Sequence, residues 1–151
     1  MYECLLMEAH AERVEVIYQP FRGKIKGLYC DNVIAINSNL QTTAEKACIL
    51  AEELGHYHTS VGDILDQSNL LNRKQEQRAR RWGYEKLVPL DRLIAAYGAG
   101  AHSSHELAEC LNITEAFLCS TLQHYMVKYG TCCRIGHAWI CFKPFRVYRG
   151  L

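Results

Sequence analysis

The sequence has no long hydrophobic run, no excess of charge of one sign and only three prolines. Its uninterrupted apolar runs span a few residues, whereas a membrane-spanning helix needs about 20, so we expect no membrane partner. The 17 basic and 16 acidic residues give a formal net charge of +1, which does not predict a general nucleic-acid binder. Because the first residues carry acids instead of the basic start of a secretion signal, we expect a cytoplasmic protein.

Cysteine is abundant, but its spacing lacks the patterns that indicate chemistry. None of the eight cysteines forms a C-x-x-C pair, no secretion signal accompanies them, and most have apolar neighbours. This context favours buried, reduced thiols over a disulfide framework or a metal site.

The hydrophobic pattern predicts an α+β fold in a chain of 151 residues, which is long enough to bury a core. Asp31-Asn32 is a plausible tight turn of a β-hairpin, so we expect a small and mostly antiparallel sheet. The predicted elements of the first part are strands at 13–18, 27–30 and 33–37 and helices at 3–12, 43–58, 73–87 and 91–97. Thr42 followed by Glu45 is a capping-box pattern at the start of the helix at 43–58.

The segment 103–129 predicts two short helices around a three-residue turn, with Ser103 and Thr114 as capping residues. This arrangement resembles a helix-turn-helix core. The second helix offers few donors for DNA, so we expect it to contact protein or to pack, not to bind nucleic acid. Alternation over 132–148 predicts a terminal β-hairpin.

The most informative segment, residues 51–58, is one residue short of a zinc-protease motif. In H-E-x-x-H, two histidines one helical turn apart bind zinc, and the glutamate between them polarises the attacking water. Here Glu52 replaces the first histidine, while Glu53 and His56 occupy the positions of the general base and the second ligand. Positions 52 and 56 lie on one side of a helix and can converge on one ion.

A zinc peptidase also needs a third protein ligand from outside the motif. Glu76, about 20 residues downstream of His56 on the next predicted helix, is the candidate. Glu52, His56 and Glu76 would then surround Zn²⁺, with Glu53 as the general base. Three further side chains could replace a ligand: His58, Asp63 and Asp66.

The alternative is that Glu52 and Glu53 are a solvated acidic pair and that His56 is a helix-end histidine near the negative pole of the helix. Two glutamate ligands would also weaken zinc as a Lewis acid, which argues for slower hydrolysis or none. A second stretch, residues 105–109, reads H-E-x-x-E, but helix capping and packing explain it without a metal.

The residues resemble those of the ImmA/IrrE family of metallopeptidases, in the form often encoded by prophages and integrative elements. The family motif H-E-L-G-H aligns with residues 52–56, and its E-x-x-A-x-x-F-A pattern aligns with Glu76, Ala79, Trp82 and Gly83. The similar segments cover most of the chain: 26–29, 34–37, 48–56, 74–82, 85–89 and 106–109.

The resemblance implies a cytoplasmic zinc endopeptidase that cleaves or inactivates a helix-turn-helix repressor of a mobile element. By that analogy Glu53 is the base, His56 and Glu76 are zinc ligands, and Glu52 takes the place of the first histidine. We expect a zincin-like core at 1–89 and a helical subdomain with the terminal hairpin at 90–151. A non-catalytic regulator that binds the repressor through the same fold is the alternative.

Overall fold

A computed structural model describes residues 1–59 and 69–150, with side chains in the second range described from residue 72 onward. Two of the substitute ligands considered above, Asp63 and Asp66, lie outside these residues. The contacts divide the chain into two compact units, Met1–Leu87 and Val88–Leu151. In the described ranges, no helix combines the length and the apolar character that crossing a bilayer requires.

In its described residues, the first unit combines three helices with a three-stranded sheet. Its elements are α1 (Tyr2–Ala11), β1 (Glu15–Gln19), β2 (Gly27–Cys30), β3 (Val33–Asn37), α2 (Thr43–Thr59) and α3 (Asn69–Leu87). Asp31 and Asn32 have φ of 48° and 60°, which is the left-handed conformation that a tight β2–β3 hairpin requires, so the predicted turn is confirmed.

The strand order is β1-β3-β2, and β3 pairs parallel with β1 and antiparallel with β2. The parallel pairing arises because the chain leaves β1, forms β2 two positions away and then returns through β3 between them. The described residues of both units contain four strand pairings. The pairing of β1 with β3 is parallel, and the remaining three pairings are antiparallel. The α+β class with small, antiparallel-rich sheets is therefore confirmed.

Local capping starts α2 and close packing fixes it against α3. Thr42 Oγ1 accepts a hydrogen bond from the Glu45 amide at 3.1 Å, and Glu45 Oε2 accepts one from the Thr42 amide at 3.1 Å, which is the predicted capping box. A Cβ added to Gly55 would lie 2.8 Å from the carbonyl carbon of Ala79. The two helices therefore touch backbone to backbone at this point, which a larger side chain would prevent.

The first unit's core lies between the sheet and α2. Ile34 and Ile36 of β3 and Leu50 and Leu54 of α2 are fully buried. The α3 helix begins at Asn69, four residues before its predicted start at residue 73.

The second unit has three helices followed by three strands. Its elements are α4 (Leu90–Gly98), α5 (Ser104–Leu111), α6 (Glu115–Tyr129), β4 (Cys132–Ile135), β5 (Ala138–Phe142) and β6 (Phe145–Arg149). Ser103 and Thr114 cap α5 and α6 by accepting hydrogen bonds from backbone amides at 3.1 Å, as predicted. Asn112 has a φ of 53° and ends α5, which produces the short turn between the two helices.

The tail contains more than the predicted hairpin. Strands β4 and β5 form that hairpin, and β6 extends it to a three-stranded antiparallel sheet of order β4-β5-β6. The prediction treated 132–148 as one alternating stretch and overlooked Lys143-Pro144, the two-residue turn that joins Phe142 to Phe145.

The expectation of buried thiols is wrong for most cysteines, and the expectation of reduced thiols is wrong for two of them. Cys132 and Cys141 face each other across β4 and β5 and form a disulfide. Among the free cysteines, Cys48 is buried and Cys133 is intermediate, while the exposed ones are Cys4, Cys30, Cys110 and Cys119. Apolar sequence neighbours misled the prediction because adjacent residues of a strand or helix point to different faces.

Candidate active site

A cleft of about 450 Å³ opens in the first unit between β2, α2 and α3. Its lining residues are Gly27, Leu28, Tyr29, Glu52, Glu53, His56, Asn72, Gln75 and Glu76. The structure thus brings all four residues singled out by the motif analysis to one cavity, where one turn of α2 faces one turn of α3.

His56 and Glu76 face each other directly, with 3.3 Å between His56 Nε2 and Glu76 Oε1. Burial lowers the pKa of His56, but its hydrogen bond to Glu76 and the nearby carboxylates outweigh burial and raise this pKa overall. The same hydrogen bond lowers the pKa of Glu76. These shifts describe a carboxylate that favours the protonated form of the imidazole, and the two residue types are ones that bind zinc when the imidazole is neutral.

Glu53 lies beside this pair and is buried, with 8% of its surface exposed. Burial is the main cause that raises its pKa from 4.5 to about 7; His56 opposes the rise, and Glu52 and Glu76 add to it. The β2 strand approaches so closely that a Cβ on Gly27 would lie 3.1 Å from Glu53 Oε1. A carboxyl group whose pKa is near neutrality can accept and return a proton at physiological pH.

Glu52 lines the cleft but is bonded to a cation of the chain itself. Its Oε1 accepts a hydrogen bond from Arg80 Nε at 3.1 Å. This bond raises the pKa of Arg80 further above its ordinary value. Within residues 1–59 and 69–150, no group of three His, Cys, Asp or Glu side chains is arranged to hold a metal ion.

Comparison with known proteins assigns the chain to a peptidase family. Residues 9–123 match the family model Peptidase_M78, described as the IrrE N-terminal-like domain. The chain belongs to the Peptidase_M78 family. No curated protein matches the chain at a significant level.

Membership of Peptidase_M78 gives the protein a metallopeptidase-like function and suggests a metal cofactor. Ligands at about 2.0–2.2 Å from a tetrahedral zinc ion lie about 3.3–3.6 Å from each other. The 3.3 Å between the donor atoms of His56 and Glu76 has this spacing. The two side chains fit neighbouring positions around a metal, whereas the third candidate, Glu52, is held by Arg80.

The remaining candidates lie elsewhere. His58 faces away from the cleft, because its Nε2 lies 3.6 Å from Glu8 Oε1 and its ring stacks on Trp82 with 4.6 Å between the centroids. His105, from the second H-E-x-x-E stretch, is exposed and pairs with Glu115 and Glu109. These ion pairs account for both histidines without a metal.

The motif analysis overlooked Arg80 and the lining strand β2. A signal for Arg80 was present, since it follows Glu76 by one helical turn and must share its face of α3. The approach of Gly27 to Glu53 had no signal in the sequence, because it depends on how the sheet packs against α2.

Proposed function

We propose that this Peptidase_M78 protein is a zinc-dependent endopeptidase of the cytoplasm that cleaves a helix-turn-helix repressor of a prophage or mobile element. The observation that carries the proposal is the 3.3 Å approach of His56 to Glu76 beside the buried Glu53, all within one cleft. A general base that is poised near neutrality is what hydrolysis at physiological pH requires.

His56, Glu76 and Glu52 are the residues that would hold the zinc ion. When bound, zinc acts as a Lewis acid that polarises the scissile carbonyl and acidifies water. The Glu53 carboxylate accepts the proton that the attacking water loses as its oxygen bonds to the carbonyl carbon. The same carboxyl group then delivers this proton to the amide nitrogen as the carbon–nitrogen bond breaks. Hydrolysis therefore leaves Glu53 in its starting state.

The wall of the cleft favours an extended peptide as the substrate. In the described sheet β2 is an edge strand, and its residues Gly27, Leu28 and Tyr29 line the cleft. An edge strand has backbone donors and acceptors with which a peptide can pair, and the half-exposed Leu28 adds an apolar contact. The choice of a repressor as the substrate rests on the resemblance to the ImmA/IrrE family.

The bond between Glu52 and Arg80 supports a second candidate function, a regulator that binds the repressor without cleaving it. With Glu52 engaged, two metal donors remain in the cleft, and two donors bind zinc more weakly than the three of a catalytic site. Such a protein would use the cleft and its edge strand for binding alone.

Zinc binding tests the metal site. The protein is stripped with a chelator, and zinc is titrated into wild type, His56→Ala, Glu76→Ala and the control His105→Ala, which removes an exposed histidine. We expect about one zinc per chain in wild type and in the control. Zinc binding should be lost in the two cleft variants, and equal binding by all four proteins would refute the site.

Cleavage tests the activity. Zinc-loaded wild type and Glu53→Gln are incubated with the repressor encoded next to the gene, and the products are weighed by intact-mass spectrometry. We expect wild type to give discrete fragments whose masses add up to that of the intact repressor plus one water, and Glu53→Gln to give none. Repressor that binds but stays intact, together with an absence of zinc, would establish the regulator instead.

A further inference from the structure

We propose that Arg80 competes with the metal for Glu52, the third candidate ligand. The hydrogen bond between Arg80 and Glu52 must break before Glu52 can bind a cation. The inference rests on the proposed function, because it assigns a regulatory residue to the same site. In this protein a guanidinium group and a divalent cation compete for one carboxylate.

The arrangement of α2 and α3 places the competitor at the site. Glu52 contacts Arg80 at 3.1 Å and His56 contacts Glu76 at 3.3 Å, and both contacts run between α2 and α3. Glu52 and His56 are one turn apart on α2, and Glu76 and Arg80 are one turn apart on α3, so the two contacts are adjacent. The Arg80 guanidinium therefore lies next to His56 and Glu76, the side chains that would bind the zinc ion together with Glu52.

The negative charges of the cleft explain why the guanidinium group of Arg80 is bound at its edge. Glu52, Glu53 and Glu76 bring three carboxyl groups to one cavity, and the charge of Glu76 also acts on Arg80. Arg80 supplies a positive charge that compensates this cluster. Because a guanidinium does not lose its proton in proteins, it vacates Glu52 only when the hydrogen bond itself breaks.

The competition depends on the residue at position 52. A carboxylate accepts the hydrogen bond of an arginine, whereas a neutral imidazole carries no charge to attract it. The exchange of the first motif histidine for Glu52 therefore creates the competition in addition to changing the ligand. Metal affinity becomes dependent on Arg80, a residue that contributes no donor atom to the metal.

The effect is moderate in size because the pair is partly solvated. The side chain of Arg80 is 53% exposed and that of Glu52 is 25% exposed. An ion pair with this exposure changes an equilibrium by about 2- to 5-fold, and the removal of a positive charge near the metal adds to this. We expect Arg80→Ala to tighten zinc binding by about 3- to 10-fold.

Competition with a chromophoric chelator measures this effect independently of peptidase activity. Zinc affinity is determined for wild type, Arg80→Ala, Arg80→Gln and Arg80→Lys, with Arg81→Ala as the control that removes the same charge from the next position of α3. Tighter binding is expected in the Ala and Gln variants. The Lys variant, which keeps a cation, should stay close to wild type, and Arg81→Ala should match wild type.

Salt provides a second readout. Because dissolved ions screen an exposed pair, the difference between wild type and Arg80→Ala should shrink as the salt concentration rises. A difference that is the same at low and high salt would contradict direct competition for Glu52.

The outcomes separate the two proposals. Equal or weaker zinc binding by Arg80→Ala, in a protein that loses zinc with His56→Ala, overturns the role of Arg80 and leaves the metal site intact. Binding by Arg80→Ala alone, with none by wild type, supports the competitor and shows that wild type is closed to zinc. An absence of zinc binding in both proteins overturns both proposals.

Discussion

Replacement of Glu53 by glutamine should remove a pH-dependent loss of stability from the first unit. The pKa of Glu53 is raised to about 7 in the folded protein from 4.5 in water, mainly by burial. Between these values the folded chain binds more protons than the unfolded chain, so the stability that Glu53 contributes falls as pH rises through this window. Glutamine keeps the shape of a protonated glutamate and does not ionise.

The interval from 4.5 to about 7 sets the size of the effect. Each pH unit within it corresponds to about 1.4 kcal/mol, so the penalty for ionising Glu53 approaches about 3 kcal/mol above pH 7. Relative to wild type, Glu53→Gln should gain about 2–3 kcal/mol of unfolding free energy between pH 5 and pH 8. A raised pKa of His56 also destabilises the fold as pH rises, but Glu76 is the main cause that raises it, so most of this contribution remains in both proteins.

Urea unfolding at a series of pH values, in the presence of a chelator, measures the difference. Trp82 and Trp139 are the two tryptophans of the chain, so a Trp139→Phe background makes fluorescence report on the first unit. The reasoning is refuted if the stabilities of wild type and Glu53→Gln remain parallel from pH 5 to pH 8. In that case Glu53 would already be ionised at low pH.

Three further substitutions test the site and the fold. Glu52→His should tighten zinc binding by about tenfold or more in chelator competition, and unchanged affinity would exclude position 52 as a ligand. Gly27→Ala should destabilise the first unit by about 1–3 kcal/mol in urea, because its Cβ would crowd Glu53; a neutral effect would mean that β2 can shift. Ser103→Ala should lower the free energy of unfolding by about 1 kcal/mol in thermal unfolding, because Ser103 makes the capping hydrogen bond of α5. Ser104→Ala is the control, because Ser104 is not the capping residue, and it should leave the stability unchanged.

Local signals in the sequence predicted the features that depend on near neighbours. The capping boxes at Thr42 and Ser103 and the turn at Asp31-Asn32 each involve residues at most three positions apart, so the residue types alone determine them. The convergence of Glu52 and His56 on one cleft follows equally from helical spacing. Their role as metal ligands stays a prediction.

Contacts between distant segments could not be read from the same patterns. The parallel pairing of β1 with β3 depends on the path of the chain, and the disulfide partner of Cys132 depends on strand register. Arg80 belongs to the same class, because spacing along α3 gives its face but not the partner across the gap. The neighbour of Glu52 is a property of the packed helices.

The close approach of α2 and α3 has a consequence for how such a site can diverge. Gly55 meets Ala79 next to His56, and Gly83 lies 3.2 Å from the backbone of Ala51, next to Glu52, when measured from an added Cβ. Backbone contacts between α2 and α3 thus fix the positions of the helices that carry the coordinating side chains. Mutation can exchange one coordinating side chain for another while the two helices keep their packing. A larger side chain at Gly55 or Gly83 would push the helices apart and disrupt the site, although every coordinating side chain would be unchanged.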